Sequence, residues 1–130
     1  MDMLEQAQKA LRKKRSIERE VKKETTRSPR WPAARDKYLK KVGKCEACGS
    51  TVDLQVHHVK PFHLHPDLEL DPTNFISLCM DTNECHLNIG HGDSFKAYNP
   101  NVREDAAKFL TASSDDRKLI VESAKKNRLV

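Results

Sequence analysis

Four cysteines, Cys45, Cys48, Cys79 and Cys85, stand in the middle of this 130-residue chain and constrain its fold more than any other feature. Only 37% of the residues are hydrophobic and 5% aromatic, while 33% are charged. A chain of this length makes one domain, and one this poor in apolar mass needs a staple. Two disulfides or one tetrahedral metal site would each supply it. The opening residues, MDMLEQAQKALRKKR, are charged almost from the start and contain no apolar h-region, and no apolar run is long enough to span a bilayer. A cytoplasmic setting with no membrane partner is therefore expected, where reducing conditions favour metal-bound thiolates over disulfides.

Spacing sharpens that choice. Cys45 and Cys48 form Cys-x-x-Cys followed by Gly49, a knuckle in which a tight turn aims two thiolates at one ion. Cys79 and Cys85 supply a second pair, less regular because five residues separate them. Loop closure entropy grows slowly with length, so a tetrahedral site absorbs the longer loop. The expectation is one structural Zn²⁺ on all four thiolates. The alternatives are unpaired buried thiols or a redox dithiol at Cys45 and Cys48, although no thioredoxin-like βαβ pattern surrounds them.

Around this frame the chain divides in two. Residues 1–26 form a basic extension with apolar residues at Leu4, Ala7, Leu11, Ile17 and Val21, which predicts a helix from Met3 to Glu24 that is marginal alone. It is either a solvated face or a basic arm lying along nucleic-acid phosphates. After TTRSPRWP, residues 27–130 read as the folded domain. Trp31, Ala34, Tyr38 and Val42 fall at helical spacing with Gly43 as the stop, and Trp31 and Tyr38 are expected as core anchors. Val52, Leu54 and Val56 alternate with Asp53 and Gln55 as in a half-buried strand ended by Pro61, and NFISLC is a second strand. Between them, Phe62 to Thr73 reads as a long loop of the kind that often carries function.

ECHLNIGHG predicts a short helix stopped by Gly90 and Gly92. Asn101 and Glu104 suggest a capping box for a helix through Leu110. A last helix starts at Ser113 or Ser114 and carries Leu119, Ile120 and Ala124. The formal net charge of +5, from 24 basic and 19 acidic residues, suits a polyanionic partner without requiring one.

With the cysteines assigned, His57, His58, His86 and His91 need an account. Adjacent residues of a strand point to opposite faces, so His57 and His58 are expected to do different jobs at one site. VHHVKP, then Asn74 in NFISLC, then His86 in CHLNIGH, framed by the two cysteine pairs, resembles the HNH endonuclease family over about Arg27 to Tyr98. The resemblance implies an α+β fold: a small ββα-metal core with a four-cysteine zinc site, flanked here by N- and C-terminal helices. It implies a metal-dependent hydrolase that cuts phosphodiester bonds in double-stranded DNA, with a catalytic Mg²⁺, Mn²⁺ or Ni²⁺ beside the structural zinc.

By the same resemblance, His57 and His86 are ligands of the catalytic ion, His58 is the general base, and Asn74 holds the loop that carries the base. His91 is a further candidate ligand. It lies five residues after His86, a spacing that turns its side chain about 140° away on an ideal α-helix unless Gly90 unwinds the last turn. Failing that, His91 contacts phosphate or serves the surface. His63 and His65 match no family role. Lys60, Lys96 and Tyr98 are candidate DNA contacts. Small members of this type resemble phage and prophage enzymes of DNA processing, whose packaging and processing proteins would be the protein partners. The competing class is a non-catalytic zinc-stapled module that only binds nucleic acid.

Overall fold

The computed structural model describes residues 26–130, so the helix expected from Met3 to Glu24 lies outside the described residues. Helix α1 (Trp31–Val42) is followed by an antiparallel hairpin of β1 (Leu54–His58) and β2 (Phe75–Cys79), a short π-helical turn (His86–Gly90), and helices α2 (Val102–Thr111) and α3 (Ser114–Asn127). The hairpin register runs from Leu54 opposite Cys79 to His58 opposite Phe75. Among the described residues, no helix is long and apolar enough to cross a membrane.

Local chemistry explains the boundaries. Pro32 sits in the first turn of α1, where its missing N–H costs nothing. Gly43 ends the helix at φ 70°, returning its N–H to the Leu39 carbonyl at 2.8 Å. The side chain of Ser113 caps α3 by accepting from Asp116 N. Within the β1–β2 connection, Pro66–Leu68 and Pro72–Asn74 each form a single 3₁₀ turn.

β2 is buried along its whole length because both faces of the hairpin are covered. On one face Ile76 and Leu78 meet Ile89, Val102, Ala106 and Phe109, the core that the π turn and α2 close. On the other, Phe75 packs edge-on to Trp31 and Tyr38 of α1, with ring centroids at 5.4 and 5.5 Å. The Tyr38 hydroxyl donates to the Glu46 carboxylate (2.8 Å) and the Phe75 carbonyl (3.1 Å), and the same carboxylate accepts from Ser77 N at 2.7 Å. The cysteine knuckle is thereby docked on the hairpin. Burial and the Glu46 carboxylate push the Tyr38 hydroxyl pKa up, so it remains a donor at neutral pH.

Three local expectations are corrected. Val52 is half exposed and lies before β1, so the strand alternation begins later than the sequence suggests. Asn101 makes no side-chain cap for α2; Asn99, fully buried, accepts from Asn101 N and donates to the Ile89 carbonyl and the Asp105 carboxylate. Burial of Asn99 decides this, because a polar side chain enclosed in a core must bond whatever surrounds it. Leu119 is 67% exposed, and Ile120, Val121 and Ala124 form the packed face of α3 instead.

Candidate metal centres

The four thiols converge. Cys45 and Cys48 come from the knuckle between α1 and β1, Cys79 ends β2, and Cys85 precedes the π turn. All four sulfurs lie within 4.8 Å of one another, none in a disulfide, and Cys48 Sγ is 3.5 Å from Cys79 Sγ. Sulfurs about 2.3 Å from a tetrahedral ion are about 3.8 Å apart, a spacing compatible with this cluster. The hydrogen bond from the Cys85 thiol, with the N–H groups of Cys48 and Ala47, pulls the Cys45 thiol down to about 4. The same Cys45–Cys85 pairing and burial push Cys85 up. Such a set holds its first thiolate readily and its later ones only when a cation neutralises them. A shell of four soft sulfur donors, three of them buried, fits Zn²⁺.

A second cluster lies across the sheet. One ring nitrogen each of His57, His86 and His91 lies within 4.8 Å of the others. His86 Nδ1 donates to Gln55 Oε1 at 2.6 Å, and His91 Nδ1 donates to the Ala97 carbonyl at 2.7 Å. Both oxygens only accept, so each neutral ring carries its proton on Nδ1 and presents a bare Nε2. Those two Nε2 atoms face each other at 3.1 Å. Two lone pairs at that distance repel unless a cation lies between them. His57 Nε2 is buried with no hydrogen-bond partner among the described residues. Burial lowers all three pKa values, His57 well below the ordinary range and His86 to about 4, with neighbouring histidine charges adding to the effect for these two. The rings are therefore neutral at pH 7, the state that binds a metal.

The π turn explains how His91 arrives there. His91 N donates to the His86 carbonyl at 3.1 Å, a bond spanning five residues, so the widened turn brings the two rings onto one side. The expected unwinding of the last turn is thus present, and Gly90 also leaves space: a Cβ there would lie 3.1 Å from both His57 Nδ1 and Leu78 Cδ1.

His58 points to the other face of β1. Its ring packs against Trp31 (4.5 Å) and Phe75 (5.3 Å), and its Nε2 donates to the Glu69 carbonyl at 2.9 Å. That bond places the proton on Nε2 and leaves Nδ1 free to accept. Burial lowers the His58 pKa, opposed by the Glu69 carbonyl, so the ring is neutral at pH 7. Asn74 bonds one peptide twice, accepting from Lys60 N (2.8 Å) and donating to Lys60 O (3.0 Å), which ties the exit of β1 to the entry of β2.

A cleft of about 280 Å³ opens over His57, His58 and His91 and is also lined by Arg27, Phe62, His63, Phe95 and Tyr98. Tyr98 thus lies at the cleft, whereas Lys60 lines a separate hollow with Asn74 and Arg103, and Lys96 is exposed. His63 reaches the cleft without joining the histidine cluster, and His65 lines neither. Sequence reasoning missed Arg27, whose guanidinium lies 4.3 Å over the Phe62 ring and 3.6 Å from the buried Glu69 carboxylate. It also missed Gln55, which does have a signal: two residues before His57, it shares that residue's strand face.

The family model described as HNH endonuclease matches residues 45–92. No curated protein and no solved structure gives a significant match. The matched stretch is the same one that folds into the hairpin and the π turn and brings together two groups of side chains that could hold a metal ion. Over residues 45–92, this chain is similar to the HNH endonuclease family, and the same residues hold the four-cysteine group and the three-histidine group.

Proposed function

We propose that this chain is a metal-dependent endonuclease that hydrolyses phosphodiester bonds in double-stranded DNA. The observation that carries this reading is the facing pair of unprotonated Nε2 atoms on His86 and His91 beside the orphaned Nε2 of His57, with an independently held, neutral His58 on the same cleft. A divalent cation on these three imidazoles would stabilise charge on the phosphate and the departing oxygen. Three nitrogen donors favour Ni²⁺ over Mn²⁺ and Mg²⁺, which prefer oxygen ligands. Zn²⁺ belongs in the thiolate cage.

His58 Nδ1 takes the proton from the attacking water, while the Glu69 carbonyl fixes the ring's tautomer. Asn74 holds the Lys60 peptide and so the strand end from which His58 projects. Arg27, Lys60, Lys96 and Tyr98 contact the DNA backbone, Arg27 from a guanidinium held over Phe62 and beside the Glu69 carboxylate. On this reading residues 27–130 are the nuclease domain and residues 1–26 a basic arm along the backbone.

The test is supercoiled plasmid with purified protein and Ni²⁺, Mn²⁺ or Mg²⁺, compared with His58→Ala. Nicked or linear product with the parent chain, at least a hundredfold less with the variant, and equal zinc content in both support the reading. Equal cleavage by both removes His58 as the base. Binding of DNA without cleavage under any metal leaves the chain a zinc-stapled binding module.

A further inference from the structure

The ring of His91 is aimed by the Ala97 carbonyl, in a segment that belongs to no helix or hairpin strand. Asn99 N ties that segment to the Gly90 carbonyl at 2.9 Å, and the residues that follow α3 hold it at both ends. Tyr98, next to Ala97, exchanges two backbone hydrogen bonds with Leu129, Tyr98 N to Leu129 O at 2.8 Å and Leu129 N to Tyr98 O at 2.9 Å. Gly92, next to His91, accepts from Arg128 Nη1 at 2.8 Å. The approach there is so close that a Cβ on Gly92 would lie 2.7 Å from the Ala124 carbonyl oxygen and 2.9 Å from Arg128 Cβ. Between these points, Asp93 N donates to the Leu87 carbonyl at 2.9 Å, and the Asp93 carboxylate forms a longer, half-exposed ion pair with Lys125 at 3.8 Å. Ala124, Lys125, Arg128 and Leu129 all lie beyond the segment that matches the family.

We propose that Arg128 and Leu129 form a positioning clasp for His91, so that the affinity of the histidine site for its metal is set by residues outside the HNH match. The inference rests on reading the histidine cluster as a metal site. The clasp fixes Gly92 and Tyr98, which fixes the Ala97 carbonyl, which fixes the direction of the His91 Nε2 lone pair. Released from Leu129 and Arg128, the segment would let that carbonyl swing and leave the ion on His57 and His86. Groups that orient a ligand typically set metal affinity by tenfold to a hundredfold.

The probe is Co²⁺, titrated into the 130-residue chain already loaded with one zinc, read by calorimetry and by the visible d–d bands of the bound ion. Arg128→Ala removes the bond to Gly92, and Leu129→Pro removes the N–H that bonds Tyr98. Each is expected to weaken Co²⁺ binding by about tenfold or more and to change the d–d spectrum, with Arg128→Lys restoring part of the affinity. A cycle with His91→Ala separates positioning from general loosening. Where His91 is already absent, Arg128→Ala should cost no further affinity. Wild-type affinity and spectrum in both folded variants overturn the clasp alone, as does an equal loss with and without His91. No Co²⁺ binding by the zinc-loaded parent chain overturns the metal reading of the cluster and the clasp with it.

Discussion

Gly90→Ala separates packing at the histidine site from stability of the turn. Two effects oppose each other in the stability of this variant. Alanine is favoured over glycine in a helical segment by about 1 kcal/mol, and Gly90 does not have the positive φ that would strain it. Against that, the new methyl would sit 3.1 Å from His57 Nδ1 and from Leu78 Cδ1, and 3.3 Å from His57 Cε1. Leu78 is fully buried and His57 is 3% exposed, so neither can retreat into solvent. Overpacking of this kind costs roughly 1–3 kcal/mol. The net is a loss of roughly 0–2 kcal/mol, a fall in melting temperature of up to about 15 °C at roughly 4–8 °C per kcal/mol.

The metal site should suffer more. His57 must give way by a few tenths of an ångström, and ligand distances at a metal tolerate only about 0.2 Å. Calorimetric titration of Ni²⁺ into zinc-loaded protein should show affinity reduced by about tenfold or more, beside a modest shift in the melting curve. Unchanged Ni²⁺ affinity in a variant of equal or higher melting temperature would refute the reasoning, since it would mean that His57 does not lean on Gly90.

Asn74→Ala deletes both bonds to the Lys60 peptide and leaves its N–H and C=O wanting partners, a loss of about 2–4 kcal/mol that chemical denaturation would measure. Cleavage should fall while zinc content stays at one per chain, and full activity would remove Asn74 from the account. Cys79→Ser opens the thiolate cage, so elemental analysis should find the zinc lost and the thermal transition broadened or absent, because binding energy at such a site is folding energy. A zinc-free variant that melts like the parent chain would contradict the staple.

Much of this architecture is written in short-range spacing. The knuckle Cys45-x-x-Cys48, the paired His57 and His58 on a strand, and Gly43 closing α1 are each fixed by residues a few positions apart, and local geometry decides them. His91 is the instructive departure. A spacing of five residues is wrong for an α-helix and right for a π turn, and nothing local to CHLNIGH announces which ladder of hydrogen bonds forms. The same limit hides Asn99, whose partners Ile89 and Asp105 meet it only once the core closes. Glu69 was equally silent as sequence, because its carbonyl reaches His58 across the β1–β2 connection while its carboxylate accepts from Ser28 N, 41 residues away. Side chains and carbonyls that orient a site are recruited by tertiary contact, and their sequence neighbours carry no trace of it.

The central claim, two metal centres of which only the histidine one drives chemistry, is tested most directly by plasmid cleavage with protein dialysed to one zinc per chain. The account predicts no cleavage by this species alone, cleavage on adding Ni²⁺ or Mn²⁺, and loss of that response in His57→Ala with the zinc still in place. Cleavage by the one-zinc protein without a second ion, or an undiminished response in His57→Ala, would contradict it.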